Sequence, residues 1–363
     1  MRTREPGGGW WRLYPWLPGV LLAVGWVVGF TTPPHVTLTP FFVAAPLAAA
    51  PVLSIWLTAL YGTLATGLVV AEMMQIDPSG LEALIKVGTV ASMAVFAVLL
   101  NRMLSRREER VASARRIAET VQRAVVPDPP ERVGRVRVAA CYQAAQRNAL
   151  IGGDLYSVRD TPYGVRMLVG DVRGKGLGAT EVVAVLLGAF REAAEEEPEL
   201  GEVAARMEAT LLRERGDSPT SDEMEGFTTA VLVEQSDDSP TRLRMINRGH
   251  PPPVLLHPDG EAHYVYGDAA LPLGLRELYA HRDQPTTATF PVGAHLLLYT
   301  DGLSEARDAD GVFYDPAARL AGRRVVAPQE LLDLVVRDVV AHSGRGLKDD
   351  LALLAVRHSP SGG

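Results

Sequence analysis

The strongest constraint on how this chain can fold is the uncharged, apolar sequence that fills most of its first hundred residues. Trp16 to Phe30 reads WLPGVLLAVGWVVGF, Val36 to Ala71 carries no charge, and Val87 to Leu100 reads VGTVASMAVFAVLL. A helix needs about 20 apolar residues to cross the hydrocarbon core of a bilayer. The pattern predicts four spans, near 13–31, 36–54, 55–74 and 83–101. A secretory signal is a poor account of the first run, because more apolar sequence follows it instead of a small-residue cleavage site and a soluble domain. Several such runs in a hundred residues are also difficult to bury in a small soluble core.

The arginines set an orientation. Arg2, Arg4 and Arg12 precede the first run, and Arg102, Arg106, Arg107 and Arg110 follow the last, whereas the loop after the third carries Glu72, Asp77 and Glu82. By the positive-inside rule both ends are cytoplasmic, which an even number of spans allows. The expectation is a multi-pass plasma-membrane protein that touches lipid through these spans and keeps its C-terminal part in the cytoplasm. Apart from Glu72, these runs contain no carboxylate, lysine or histidine array of the kind that transporters and proton relays use. Anchor or sensor is the better reading.

A net charge of −7 argues against a nucleic-acid binder. Cys141 is the sole cysteine, so neither an internal disulfide nor a thiolate zinc site can form. Any metal must be held by carboxylates or histidines.

Residues 101–126 are charged, with Val111, Ala114, Ala118, Val121 and Val125 recurring at helical steps. This predicts a juxtamembrane helix over 102–126 that either pairs two chains into a homodimer or lies solvated beside anionic lipid. It stops at Pro127-Asp128-Pro129-Pro130. The resulting organisation is a membrane region 1–101, a linker helix 102–126, a cytoplasmic domain 127–358 and a disordered tail 359–363.

Beyond the prolines, segments 135–143, 164–172, 227–234, 242–247, 294–300 and 351–357 read as strands. Helical stretches occupy 177–197, 200–215 and 328–342. Strands joined by short Gly, Asp and Pro turns favour antiparallel sheets with helices outside them, an α+β sandwich. Four aspartates stand at strand ends or turns: Asp154 in Gly152-Gly153-Asp154, Asp171 in Gly170-Asp171-Val172-Arg173-Gly174-Lys175-Gly176, Asp301 in Tyr299-Thr300-Asp301-Gly302, and Asp349 beside Asp350 before LALLAV. Taken singly, each is more simply a turn residue. Converging at one edge of a sandwich, they would offer the oxygen donors that hard divalent cations choose.

These motifs, with Gly249-His250-Pro251-Pro252-Pro253, Pro272-Leu273-Gly274-Leu275 and Asp349-Asp350-Leu351-Ala352, occur in series. The series resembles the SpoIIE-like bacterial branch of the PPM metal-dependent serine/threonine phosphatases, over roughly residues 117–357. The resemblance implies an αββα sandwich of two antiparallel sheets, with two divalent ions (Mn2+ or Mg2+) at the sheet edge. By the same resemblance, Asp171 bridges the two ions and the carbonyl of Val172 is a ligand. Asp301 and Asp349 hold one ion, and Asp154 serves the other. The implied catalytic pair is Asp171 and Asp154, in a hydrolase that attacks phosphoserine or phosphothreonine with a metal-activated water. Arg173 and Lys175 are candidate phosphate contacts. Relatives commonly act on a small anti-anti-sigma phosphoprotein in regulatory signalling, and that is the implied substrate class.

The sequence departs from the family at Ser157, where many relatives carry another aspartate, and it lacks the histidine that follows the bridging aspartate in well-studied members. His250 is read as part of a structural turn. Gly170 to Lys175 lacks nucleotide-loop spacing. Two alternatives remain: a membrane-bound nucleotide cyclase, whose purine-selecting and transition-state residues are not evident, and a catalytically silent phosphoprotein-binding scaffold.

Overall fold

The computed structural model describes residues 14–31, 39–76, 80–143, 152–217, 227–268, 270–275, 283–344, 347 and 349–359. The chain divides into two compact units, Met1–Ser113 and Ala114–Gly363.

In the first unit the apolar runs form α1 (Leu17–Thr31), α2 (Thr39–Ala49), α3 (Ile55–Ile76) and the beginning of α4 (Gly80–Val125). Leu22, Phe42, Ala45, Ala65, Val69, Met73 and Val90 make a small core. The amide of Asn101 donates to the carbonyls of Ala50 (2.7 Å) and Leu53 (2.8 Å), satisfying backbone groups at the turn that follows α2.

Four helices match the four expected runs, but among the described residues only two, Ile55–Met74 and Gly80–Arg106, are long and apolar enough to cross a bilayer. The expected span 36–54 contains an 11-residue helix with Pro46 inside it. At 1.5 Å per residue such a helix reaches about 17 Å, against a hydrocarbon core of about 30 Å. α1, at 15 residues, is also short. The last expected span and the connector are one uninterrupted 46-residue helix. No proline or glycine lies between Val98 and Val125 to break it. Arg2, Arg4, Arg12 and Asp77, on which the orientation rests, lie outside the described residues, as do the side chains of Val111, Ala114, Ala118 and Val121 and the tail 360–363.

The second unit is built from two antiparallel sheets. One runs β1 (Arg132–Val133), β2 (Val136–Gln143), β11 (Leu351–His358), β10 (His295–Tyr299), β7 (Val254–Leu256) and β8 (Ala262–Tyr264) in spatial order. The other runs β3 (Asp154–Thr161), β4 (Gly164–Val172), β5 (Thr228–Gln235), β6 (Arg242–Arg248) and β9 (Thr286–Thr289). Helices α5 (Leu177–Glu196) and α6 (Leu200–Asp217) cover the second sheet, and α8 (Pro316–Leu320) and α9 (Pro328–Ser343) cover the first. The order of layers is α, β, β, α, as the α+β sandwich reading expects.

The central strands are continuously apolar because both of their faces are buried. Along β11, Ala352, Leu354 and Val356 enter the core shared with the second sheet. Leu351, Leu353 and Ala355 point the other way, into the core under α8 and α9. β10 alternates likewise, with Leu296 and Leu298 inward and Leu297 and Tyr299 outward. This sheet therefore carries two hydrophobic layers, and the ends of its central strands are fixed from both sides.

One buried charge cluster locks α5 to the second sheet. Arg166 on β4 and Glu234 on β5 are both fully buried and paired at 2.7 Å. The guanidinium also donates to the carbonyls of Ala194, Glu197 and Pro198. It thus satisfies the acceptors left open where α5 ends. Arg244 on β6 also pairs with Glu234.

Candidate active site

The four aspartates meet at one edge of the sandwich, two from each sheet. Asp154 opens β3 and stands in register with Asp171 on β4, which is in turn paired with Thr229 on β5. From the other sheet, Asp301 begins the short helix α7 (Asp301–Ser304) directly after β10, and Asp349 and Asp350 precede β11. They line a cleft of about 280 Å³ together with Gly153, Val172 and Arg173.

Glycines permit this approach. A Cβ at Gly153 would collide with the Val172 carbonyl oxygen and press on Asp171, and a Cβ at Gly302 would collide with the Asp350 carbonyl. The Val172 amide donates to the Gly153 carbonyl at 3.0 Å, so this crossing is hydrogen-bonded as well as close.

The electrostatics follow from crowding. Burial and then the charge of Asp171 push the Asp154 carboxyl well above the usual range, against the hydrogen bond that Thr300 gives it. Burial and the neighbouring Asp301 raise Asp171 to about 7, although a hydrogen bond with Asp154 opposes the rise. Asp301 is raised too, by burial and by Glu305 and Asp349. Lys175 gives its ammonium to Asp349 at 2.6 Å. Burial lowers the Lys175 pKa, but the hydrogen bond and charges of Asp349, with Asp350 and Asp154 behind it, outweigh that and leave it raised.

Arg173 is exposed at the rim. Its amide donates to the Phe227 carbonyl at 3.1 Å, and its guanidinium lies 5.3 Å over the Phe227 ring. Ser157 faces Leu168 across the strand pair, three residues along β3 from Asp154, and does not line the cleft.

His250 is buried behind the cleft with both ring nitrogens engaged. One lies 3.0 Å from the Thr229 hydroxyl and the other 3.0 Å from the Tyr299 carbonyl. A carbonyl only accepts, so Nε2 carries the proton and Nδ1 accepts from Thr229. Burial lowers its pKa to about 3. A neutral, fully bonded ring tying β5 to β10 fits the structural reading of this histidine.

A family model, that of stage II sporulation protein E, matches residues 161–359, more than half of the 363. The chain belongs to the SpoIIE family. The match takes in Asp171, Val172, Arg173, Lys175, Asp301 and Asp349, while Asp154 lies just ahead of it.

Among solved structures, this SpoIIE-family chain is similar to the SiaA-PP2C domain of Pseudomonas aeruginosa, with 19% identity and a TM-score of 0.53 over 70% of this chain and 98% of that one. It is also similar to the PP2C phosphatase domain, with a fragment of the regulatory domain, of the cell fate determinant SpoIIE from Bacillus subtilis. There the identity is 18% and the TM-score 0.52, over 63% of this chain and 65% of that one. The RsbU and RsbW domains of a Mycobacterium tuberculosis protein match at 24% identity and a TM-score of 0.49, over 62% of this chain and 61% of that one. The chain thus spans less than two thirds of the Bacillus and Mycobacterium chains. At these identities the likeness to the Pseudomonas and Bacillus domains shows the fold alone, which is that of PP2C-type phosphatase domains.

Among the described residues no three His, Cys, Asp or Glu side chains already close on one point as a finished ion cage. The donor set nevertheless fits a divalent cation. Asp154, Asp171 and Asp301 are each raised first by burial and then by neighbouring acidic groups, an excess of negative charge that a hard cation would relieve, and every donor is an oxygen.

Several neighbours of the site were not singled out from the sequence. Thr300 bonds Asp154 at 3.0 Å. Asp350 hydrogen-bonds Tyr142, and both lie against Gly152. Thr229 lines the cleft. Asp350 had a signal in its adjacency to Asp349. Tyr142 and Thr229 had none, because their roles depend on which strands become neighbours.

Proposed function

We propose that this chain is a membrane-anchored protein serine/threonine phosphatase. The observation that carries this reading is the meeting of Asp154 and Asp171 from one sheet with Asp301 and Asp349 from the other in a single cleft. Two divalent ions, Mn2+ or Mg2+, would be held by Asp154, Asp171, the Val172 carbonyl, Asp301 and Asp349. When bound, such ions neutralise phosphoryl charge and acidify water, which is the chemistry a phosphate monoester needs.

The chain's own residues account for the rest. Arg173 offers an exposed guanidinium whose fork geometry suits phosphate oxygens. Lys175 supplies a second cation at the rim, now resting on Asp349. Positive charge close by would favour the anionic forms of the raised Asp154 and Asp171 carboxyls, so loading the site and ionising it would be coupled. With His250 buried and neutral, no histidine in the described cleft is set to protonate a leaving group.

The substrate is a phosphoprotein in regulatory signalling, of the small anti-anti-sigma type. The catalytic domain, 127–358, lies in the cytoplasm, held at the plasma membrane by the N-terminal spans, and 102–126 pairs two chains. Manganese-dependent release of phosphate from a phosphoserine peptide by the purified chain tests the activity. Full activity in the presence of a strong chelator would sink it, and cyclisation of a nucleoside triphosphate would redirect it.

A further inference from the structure

Thr300 sits where β10 gives way to α7, and its groups are committed in an unusual way. Its amide donates to the Ala352 carbonyl at 3.1 Å, as a ladder residue should, but the Ala352 amide returns to the Thr300 hydroxyl at 3.0 Å. The side-chain oxygen has taken the place of the backbone acceptor. The Thr300 carbonyl is thereby released to accept the Leu303 amide at 3.1 Å and start α7 at Asp301. The hydroxyl oxygen accepts from Ala352, so its one proton is directed at Asp154 Oδ2, 3.0 Å away. Thr300 is fully buried and Asp154 is 4% exposed, so no water competes for this bond.

We propose that Thr300 is the positioning residue of the metal centre: its hydroxyl, aimed by the Ala352 amide, holds Asp154 as an oriented ligand and ties it to the strand end that delivers Asp301. This inference rests on the proposed metal-dependent phosphatase reading. A hydroxyl that can only donate towards Asp154 favours the ionised carboxylate, which is the form that binds a cation. It also joins the two sheets at the edge where each contributes ligands. Residues that orient metal ligands in this way typically contribute 10–100-fold to affinity.

The test uses the full chain in mild detergent, with Mn2+ binding followed by calorimetry and phosphate release followed separately. Thr300→Val keeps the shape and loses the hydroxyl, and is expected to weaken Mn2+ binding by about tenfold or more. The Mn2+ concentration for half-activation should rise in parallel, with most turnover recovered at saturating metal. Thr300→Ser, which restores the hydroxyl between the Ala352 amide and Asp154, should return the affinity to within about threefold of wild type. In an Asp154→Asn background, Thr300→Val should change the affinity little further. Wild-type affinity in Thr300→Val overturns the proposal, as does an unrescued loss in Thr300→Ser. If neither Thr300→Val nor Thr300→Ala folds by circular dichroism, the hydroxyl belongs to the fold and the proposal is likewise overturned. Failure of the wild-type chain to bind Mn2+ at all would instead strike the phosphatase reading beneath it.

Discussion

Asp154 and Asp171 are direct cross-strand partners, the first residue of β3 against the last but one of β4. Two ionised carboxylates placed opposite each other would destabilise a sheet, and burial adds to the penalty, which is met here by the raised Asp154 carboxyl and its hydrogen bond with Asp171. Such a pair is retained at a strand end only where something else compensates for it.

Asp171→Asn should therefore abolish metal-dependent hydrolysis while leaving the fold intact or slightly more stable, since it removes one of the opposed charges. Asp301→Asn and Asp349→Asn should raise the Mn2+ concentration needed for half-activity by about tenfold or more. Phosphate release against metal concentration checks all three. Near-normal activity in Asp171→Asn would show that the residues are wrongly assigned.

His250 makes the fold acid-sensitive. In the unfolded chain its imidazole takes up a proton near 6.5, whereas burial keeps it neutral in the folded chain down to about 3. The unfolded state binds more protons across that window, so stability present above pH 6.5 is lost as pH falls towards 3. His295, lowered to about 4 by burial and by Arg357, acts in the same direction. Replacing His250 with Gln should flatten the dependence of thermal stability on pH between 6.5 and 4 without removing it. An unchanged slope would mean that the ring is protonated in the folded state.

Glu234 neutralises Arg166 where neither side chain reaches water. Glu234→Gln leaves a buried guanidinium with no anionic partner, facing carbonyls and the Tyr163 ring, and should cost about 3–5 kcal/mol. Denaturant unfolding monitored by near-ultraviolet circular dichroism would read this. A loss below about 1 kcal/mol would place Arg166 in the range of an exposed ion pair.

For orientation, a reporter active only in the cytoplasm should work when fused after Arg107 or at the C-terminus and be silent when fused near Asp77. Signal at Asp77 would reverse or reduce the number of spans. α1 and α2, at 15 and 11 residues, are where such a miscount would originate.

The proposed pairing of chains through 102–126 has its own check. Aspartate at Val121 and Val125 should dissociate the dimer in sedimentation, because it would place unpaired charge in an apolar seam. An unaltered mass would make this part of α4 a passive tether.

Much of this molecule was legible in its sequence because the strands of the first sheet are apolar on both faces and end in abrupt polar turns. Leu351–His358 and His295–Tyr299 announce themselves, and their ends carry Asp349 and Asp301. β3 was not legible. Asp154–Thr161 mixes Ser157, Arg159 and Asp160 with its apolar residues, and only pairing with β4 makes it a strand. β7, β8 and β9, at three or four residues each, are too short to show a period. Arg166 sits inside an apparently ordinary strand, and nothing local betrays that Glu234 and three carbonyls surround it. The same limit hid Thr300, whose partner Asp154 lies 146 residues earlier in the chain.

The cleft draws its carboxylates from two sheets that no backbone ladder joins. Asp154 and Asp171 move with β3 and β4, and Asp301 and Asp349 move with β10 and β11. Thr300, His250 and the Lys175–Asp349 ion pair are among the polar stitches between the two. The site therefore works as a vernier on the seam of the sandwich: a slip of one sheet past the other too small to disturb either hydrophobic layer leaves each pair intact and changes every distance between the two pairs at once. Shear along that seam, with no change in secondary structure, is the motion to which the chemistry is most exposed.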